Sequence, residues 1–237
     1  MIDWSTTLFR ASSIGTLMTE PRSKSESLSE TTRTYLKQLY REKKYSFRKI
    51  VKSKYFDKGN LCEEEGITVY SRYKKRMFKK NSERINSEYF TGEPDFFDGP
   101  IITEAEWIYD NKASWDAFTF PFPDDKLDKN YKYQGLTYCE LTGAKGATFA
   151  FTLVDTPEHL VQKEIKSILW ETGEEATEKE VEFIKFNMTF SDKMSIEERV
   201  CEFVVNRDDE EMGIVKERTK IWRDYLKFLD EPKIILV

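Results

Sequence analysis

The feature that most constrains this chain is a strand-like segment that places an acid and a lysine near its end, just after three large apolar or aromatic residues. In ITEAEWIYDNKA, Asp110 and Lys112 stand two positions apart, so both side chains leave the same face of a β-strand. Isolated charges are the groups that a protein core tolerates least. The run therefore predicts a strand that delivers an acid and a lysine to one functional site, and a strand end on the surface is the alternative.

A second acid precedes this run in GEPDFF, where Asp95 follows a Gly-Glu-Pro turn. If neighbouring strands bring Asp95 beside Asp110, the two carboxylates can share one divalent cation. Mg²⁺ suits such a site because it is a hard ion that prefers oxygen ligands and keeps waters for a substrate phosphate. Mn²⁺ is its expected substitute. With Lys112 orienting an attacking water, the arrangement predicts phosphodiester hydrolysis.

The composition narrows the kinds of site that the chain can build. Its three cysteines lie far apart with no CxxC spacing, which argues against a disulfide framework, a structural zinc site and an iron–sulfur cluster. We expect Cys62, Cys139 and Cys201 to be reduced core residues. The single histidine, His159, argues against multi-histidine metal sites and a Ser-His-Asp triad. Any catalytic metal must therefore be held by carboxylates.

The net charge of −5 hides a basic region. From Arg33 to Arg84, seventeen Lys and Arg residues stand against six Asp and Glu, a local charge of +11. The segments YREKKYSFRKIVKSKY and SRYKKRMFKK interleave basic and aromatic residues, as surfaces that contact phosphates often do. A solvated helix face is the alternative interpretation of a basic run taken alone.

Hydrophobic periodicity and capping residues predict helices along much of the chain. Ser12 or Ser13 is the expected cap of the first helix, and Gly143 is the expected end of the fourth. The third helix is expected to begin near Lys58. The predicted helical segments are ASSIGTLMTE, SETTRTYLKQLYREKKY, KGNLCEEEGITVYSRYKKRMFKK, NYKYQGLTYCELTGA, TPEHLVQKEIKSILWE, TEKEVEFIKFNMTF and EEMGIVKERTKIWRDYLKFL.

Alternating or aromatic-rich runs predict the strands. The segments INSEYFTG, DFF and ITEAEWIYDNKA predict an antiparallel three-stranded meander, GATFAFTLVD predicts a central strand, and RVCEFVVNRD predicts a late one. The serine-rich PRSKSESLSE and the proline-interrupted FTFPFPDDKLDKN are predicted loops. The chain shows no internal repeat and no linker, so we expect one domain over residues 1–237.

Taken in order, these pieces resemble the PD-(D/E)xK nuclease superfamily and, within it, the phage recombination exonucleases of the lambda-exonuclease and YqaJ type. The resemblance covers roughly Phe9 to Asp155, through FRASSIGTLMTEPRS, KGNLCEEEGI, GEPDFF, YDNKASW and YQGLTYCELTGAKGATFAF. It implies an α/β, restriction-endonuclease-like fold, in which a mixed central β-sheet is flanked by helices. The catalytic core would span about residues 58–155, followed by a helical and strand extension at about 156–237 that carries no assigned motif.

The resemblance also implies a metal site. The family pattern places a glutamate four residues after a glycine on the first core helix, which matches Gly59 and Glu63. The PD acid of the family falls on Asp95, and its acid-x-lysine pair falls on the DNK motif. The implied catalytic residues are Glu63, Asp95, Asp110 and Lys112, and the implied metal ligands are Glu63, Asp95, Asp110 and the backbone carbonyl of Asn111.

Contacts to DNA are implied in two further places. Gln134 and Tyr138 match the Q-x-x-x-Y signature of the helix after the last motif strand, although a polar helix stripe is the alternative. FRASSIGTLMTEPRS is similar to the segment that helps to form the pocket for a 5′-phosphate. There Ser12 would donate a hydroxyl, Arg10 would contact a phosphate, and Arg22 would reach into the DNA ahead of the cut.

The implied activity is Mg²⁺-dependent, processive 5′-to-3′ digestion of one strand of linear double-stranded DNA, for phage-type homologous recombination. A ring-shaped homotrimer and a single-strand annealing protein are the implied partners beyond DNA ends. One alternative is an endonuclease for restriction or repair with the same core. Another is an inactive nuclease-like DNA-binding module, against which the complete catalytic set speaks. The acidic net charge puts tight non-specific duplex binding in doubt.

The location in the cell follows from what the sequence lacks. No apolar run approaches the ~18 residues that a membrane span needs. The N-terminal MIDWSTTLFRASS has neither the charged nor the apolar block of a signal peptide. We therefore expect a cytoplasmic protein without a membrane partner, in the host cytoplasm if a phage encodes it.

Overall fold

Two β-sheets organise the chain in a computed structural model that describes residues 2–49 and 54–231. Within these residues the smaller sheet has the strand order β1-β3-β2, and the larger sheet has the order β4-β5-β6-β7. The strands are β1 (Phe9–Arg10), β2 (Ile85–Asn86), β3 (Phe90–Gly92), β4 (Phe96–Phe97), β5 (Trp107–Ala113), β6 (Gly146–Thr152) and β7 (Val200–Asn206).

Helices fill most of the remaining chain and confirm most of the predicted segments. They are α1 (Ile14–Leu17), α2 (Glu30–Tyr45), α3 (Lys54–Tyr73), α4 (Lys129–Thr142), α5 (Glu158–Thr172), α6 (Glu178–Met188) and α7 (Asp209–Asp230). As predicted, Gly143 ends α4 in a left-handed conformation, with a φ of 82°. Within the described ranges, no helix combines the length and the apolarity that a membrane span requires.

The larger sheet is mixed, as the sequence predicts. β4 and β5 are antiparallel, β5 and β6 are parallel, and β6 and β7 are antiparallel. A parallel pair needs a crossover connection, and α4 supplies it between β5 and β6. Since neighbouring residues of a strand point to opposite faces, Asp110 faces α4 while the Asn111 side chain faces α3. The predicted α/β fold with a mixed central sheet flanked by helices is confirmed.

The C-terminal part of the chain completes this core. β7 pairs with β6 along its full length, from Val200 to Asn206. In α7, Trp222 is fully buried and its ring contacts that of Phe9 with centroids 5.1 Å apart. Arg223 donates from its guanidinium to the backbone carbonyls of Thr7 and Glu88. The stretch without an assigned motif is therefore integral to the sheet and to the N-terminal packing.

The predicted three-stranded meander is wrong. β2 and β3 are antiparallel neighbours in the smaller sheet, but β4 pairs with β5 in the larger one, and no ladder joins β3 to β4 among the described residues. Pro94 lies between them and has no N–H to donate to a ladder. The second neighbour of β3 is β1, in parallel, which a local sequence pattern does not reveal.

The predicted extension of the third helix to Lys80 is also wrong, because α3 ends at Tyr73. The chain then turns through Lys75, whose φ is 52°. This reversal buries the ring of Phe78 against Phe96 and Tyr109, with centroids 5.0 Å apart in each case. Burial of a large aromatic side chain outweighs the favourable helix propensity of the basic run, which is worth only tenths of a kcal/mol per residue.

The N-terminal helix is shorter than predicted and lacks the predicted cap. Ala11–Ser13 forms a 3₁₀ turn that leads into the four residues of α1. Neither Ser12 nor Ser13 caps this helix through its side chain. Ser13 occupies the N-cap position of α1 but makes no capping hydrogen bond with its side chain. The capping prediction is therefore wrong, and the Ser12 hydroxyl is not used by the helix.

Close packing of α3 on β5 requires a glycine at position 66. A Cβ at Gly66 would lie 2.2 Å from Nδ2 of Asn111, whose side chain is buried and accepts a hydrogen bond from Thr152. A Cβ at Gly59 would meet no described atom within 4 Å. The helix therefore approaches the strand through Gly66, and Gly59 leaves open space.

Gly66→Ala should lower the free energy of unfolding by about 1–3 kcal/mol, because the added methyl group displaces Asn111 or moves α3 away from β5. Gly59→Ala is the matched control in the same helix and should raise it by about 0.5–1 kcal/mol. Urea unfolding of the two variants measures both effects. Equal stabilities for the two variants would contradict the close approach.

Candidate active site

Asp110 is the centre of a buried polar cluster on the face of β5 that α4 covers. Its side chain is only 2% exposed. The Oδ2 atom accepts hydrogen bonds from Nε2 of Gln134 at 2.9 Å and from the hydroxyl of Tyr138 at 3.0 Å. Gln134 also donates to the Tyr138 hydroxyl at 2.7 Å. The spacing of four places both residues on one face of α4, and together they fix the orientation of the carboxylate.

Lys112 leaves the same face of β5, as predicted, and forms an ion pair with Oδ1 of Asp110. Its ammonium also lies over the rings of Tyr131 and Phe149, 5.5 and 5.8 Å from their centroids. Burial disfavours the charged form, but the carboxylates of Asp110 and Asp95 outweigh burial and raise the pKa of Lys112. The lysine therefore enters the site as a protonated, oriented cation.

Asp95 approaches the same cluster from the connection between β3 and β4. Its Oδ2 atom accepts a hydrogen bond from the backbone N–H of Asn111 at 2.7 Å. Burial, and then the negative charge of Asp110, raise the pKa of Asp95 to about 8, although Lys112 and the Asn111 N–H work in the opposite direction. If both carboxyl groups were ionised, the single ammonium of Lys112 would not balance the charges of Asp95 and Asp110.

The backbone of Asn111 is available at this edge of the sheet, but its side chain is not. The N–H and C=O of one strand residue point to the same edge, so the carbonyl of Asn111 faces the side on which Asp95 lies. The side chain packs against Gly66 on the opposite face, where its Oδ1 accepts from Thr152. Only the carbonyl of Asn111 can therefore serve as a ligand, as the family pattern implies.

Glu63 is near this cluster but is engaged elsewhere. It lies on α3, and its Oε1 atom is 3.2 Å from the ammonium of Lys80. The hydrogen bond to Glu63, followed by the charges of Glu63, Glu64 and Asp95, raises the pKa of Lys80. Across the part of the chain that the structure describes, no three Asp, Glu, His or Cys side chains form a ready-made metal site. The predicted third carboxylate is therefore held by a lysine.

The donor set nevertheless fits a divalent cation. Asp95, Asp110 and the Asn111 carbonyl offer hard oxygen ligands from two sides of one strand edge. Burial, and then the negative charge of Asp110, raise the pKa of Asp95, and a bound cation would oppose both effects by favouring the ionised carboxylate. Glu63 can join this set once its contact with Lys80 opens.

A polar cavity of about 570 Å³ adjoins the cluster. Tyr138 lines the cavity and also binds Asp110, so the two features are contiguous. Two of the residues predicted to contact phosphate, Arg10 and Ser12, lie in its wall. Arg84 lies there too and forms an ion pair with Glu93 at 2.7 Å. This wall therefore combines the two guanidinium groups and the exposed hydroxyl of Ser12, which can bind an anion, with the carboxylate of Glu93.

The remaining predicted DNA contact, Arg22, is exposed in the loop between α1 and α2 and is not among the residues that line this cavity. Three residues near the site were missed by the motifs: Lys80, Arg84 and Tyr131. Lys80 and Arg84 fall inside the basic region of the sequence, which is the signal that could have indicated them. Tyr131 precedes Gln134 by three positions, so both share one face of α4.

No protein-family model and no curated protein sequence matches the chain, but solved structures do. A phage-related exonuclease from Haemophilus somnus 129PT aligns over 94% of this chain and 95% of its own, with a TM-score of 0.77 and 24% sequence identity. This chain has the fold of that exonuclease. The resemblance derived from the motifs is thus confirmed at the level of the fold.

A second solved protein extends the comparison. The alkaline exonuclease LHK-Exo from Laribacter hongkongensis aligns over 94% of this chain and 91% of its own, with a TM-score of 0.63 and 13% identity. Its complex with dAMP aligns over 94% and 89%, with the same TM-score and identity. The shared fold therefore spans nine-tenths or more of both exonucleases.

Asp95→Asn should flatten the dependence of stability on pH. The pKa of Asp95 rises from an ordinary 3.8 to about 8 on folding, so between these values the folded chain holds a proton that the unfolded chain has released. The contribution of this group to stability is present at low pH and is lost as pH rises toward 8. Urea unfolding at pH 5 and pH 8.5 should show a loss that is about 1–3 kcal/mol larger for the parent than for the variant.

Glu64→Gln is the control for this measurement, because the side chain of Glu64 is 81% exposed. It should leave the pH profile of the parent unchanged. Parallel profiles for the parent and Asp95→Asn would mean that Asp95 does not carry the unbalanced charge.

Proposed function

We propose that this chain is a divalent-cation-dependent deoxyribonuclease that digests one strand of linear double-stranded DNA from its 5′ end, for phage-type homologous recombination. One observation carries the proposal: Asp95, Asp110 and Lys112 meet at one strand edge beside a cavity lined by arginines. The exonuclease fold supports it further.

In this proposal Asp95, Asp110 and the Asn111 carbonyl hold Mg²⁺, with Glu63 as a further ligand and Mn²⁺ as a substitute. When bound, the cation supplies Lewis-acid polarisation of the scissile phosphate. Lys112 orients the attacking water and stabilises the charge that develops on the phosphoryl oxygens. Since the ammonium is already fixed by Asp110 and two aromatic rings, this role requires little reorganisation.

Gln134 and Tyr138 act through Asp110. Both donate to the same carboxylate oxygen, which leaves Oδ1 for the ion pair and the cation. Gln134 is buried, and in this proposal it positions Asp110. Tyr138 also lines the cavity and so lies beside the terminal phosphate.

The cavity is the proposed site of the 5′-phosphate. The exposed hydroxyl of Ser12 and the guanidinium groups of Arg10 and Arg84 supply donors for it. Arg22 would contact the DNA from its loop. The alkaline exonuclease of Laribacter hongkongensis was solved with dAMP, a nucleoside monophosphate, which supports a mononucleotide as the product here as well.

Several parts of the proposal come from the resemblance. They are a single nuclease domain over residues 1–237 with its catalytic core at about 58–155, a ring-shaped homotrimer, and a single-strand annealing protein as partner. The direction of digestion belongs with them. The proposed substrate is the end of a linear DNA duplex, and the experiment below tests it.

The test is digestion of linear 5′-phosphorylated duplex and of covalently closed circles, in Mg²⁺ or in EDTA. The parent should degrade only the linear DNA and only with Mg²⁺. Lys112→Ala should lower the rate by about 10²–10⁴-fold, the usual loss for a group that positions or transfers a proton. Lys145→Ala is the control, because this lysine is 70% exposed and precedes β6 at the opposite end of the sheet.

Other results of this digestion would support one of the alternative functions. Cutting of circles would favour an endonuclease for restriction or repair. Binding of duplex without metal-dependent cutting would favour an inactive nuclease-like module. Equal losses for Lys112→Ala and Lys145→Ala would remove Lys112 from the mechanism.

A further inference from the structure

The segment between Phe78 and Asn81, here called the strap, crosses beside the candidate site and is fixed at both ends. At one end the ring of Phe78 is buried among aromatic side chains that include Phe96. The backbone N–H of Phe78 also donates to the hydroxyl of Ser71 on α3, at 3.1 Å. The start of the strap is thus held against the helix that carries Glu63.

At the other end, buried Asn81 joins the strap to the turn that carries Asp95. Its backbone N–H donates to the carbonyl of Asp95 at 2.6 Å, and its Nδ2 donates to the carbonyl of Pro94 at 2.8 Å. A third contact, from the N–H of Glu83 to the side-chain oxygen of Asn81, closes the turn. The position of the strap is therefore tied to the same turn that positions a catalytic carboxylate.

Lys80, inside the strap, places its ammonium between carboxylates of α3. The Nζ atom is 3.2 Å from Oε1 of Glu63 and 3.8 Å from Oε1 of Glu64. Glu63 is the more buried partner, with a side chain that is 27% exposed against 81% for Glu64. The ammonium thus pairs with the one carboxylate of the expected ligand set that lies on α3.

We propose that Lys80 is a built-in counter-ion of Glu63, which a divalent cation must displace before Glu63 can act as a ligand. The ammonium and the cation compete for the same carboxylate oxygens, so Lys80 weakens cation binding and makes it depend on movement of one side chain. The inference rests on the proposed function, because it assumes that Glu63 belongs to the cation site. It makes Lys80 a positioning residue for Glu63.

The chain offers a matched control in Lys79, the neighbour of Lys80 in the strap. Lys79 is exposed and, among the described residues, has no ion-pair partner. Replacing either lysine with methionine removes the same charge and keeps a side chain of similar length. Only the change at position 80 frees Glu63.

The experiment is calorimetric titration of the full chain with Mn²⁺, without DNA and at constant pH. Lys80→Met should bind Mn²⁺ roughly five- to twentyfold more tightly than the parent, because a nearby positive charge and a competitor are both removed. Lys79→Met should change the affinity by about twofold or less, since its charge is exposed to screening solvent. Lys80→Arg keeps the cation and should restore an affinity close to that of the parent.

A double variant separates this role from a general effect of charge. In a Glu63→Gln background, Lys80→Met should no longer tighten Mn²⁺ binding, because the carboxylate for which the two cations compete is gone. Damage to the fold would weaken binding, the opposite of the expected change.

Equal effects of Lys79→Met and Lys80→Met would overturn the inference and leave the proposed function standing. Tighter Mn²⁺ binding by Lys80→Met to the same degree with and without Glu63 would overturn it in the same way. Failure of the parent and of every variant to bind Mn²⁺ would overturn both the inference and the proposed cation-dependent nuclease.

Discussion

The site depends on a buried carboxylate that several elements hold in place. Asp110 has its charge balanced by Lys112 two residues along the same strand, and its other oxygen is fixed by Gln134 and Tyr138 of α4. A buried charge is tolerated only when it is paired and hydrogen-bonded. The packing of α4 on the mixed sheet and the position of Lys112 on β5 therefore meet one requirement, which is to keep this carboxylate paired and oriented.

Asp95 adds a second negative charge that the fold does not balance. The backbone N–H of Asn111 holds the carboxylate at the strand edge, and the Asn81 N–H holds the turn that carries it. The raised pKa of Asp95 is the cost of this arrangement, since burial and Asp110 both oppose ionisation. A site that binds a divalent cation and an anionic substrate requires such unbalanced charge before its ligands arrive.

Local patterns in the sequence were sufficient where the site is built by local geometry. The alternation of a strand places Asp110 with Lys112, and helical spacing places Gln134 with Tyr138, so both pairs could be predicted. Contacts between distant segments could not. Three features arise only from the tertiary fold: the ion pair of Glu63 with Lys80, the position of Arg84 in the cavity wall, and the pairing of β1 with β3. The end of α3 was mispredicted for the same reason, because burial of Phe78 outweighs helix propensity.

The proposed nuclease requires Asp95 and Asp110 to bind the same cation. Anomalous diffraction from crystals soaked in Mn²⁺ would show this without relying on activity, because it locates the ion. We expect a peak bonded to both carboxylates in the parent and its loss in Asp110→Asn. A peak at another place, or none at saturating Mn²⁺, would mean that the two carboxylates do not share a cation and that the cluster is a buried ion pair with a neighbouring acid.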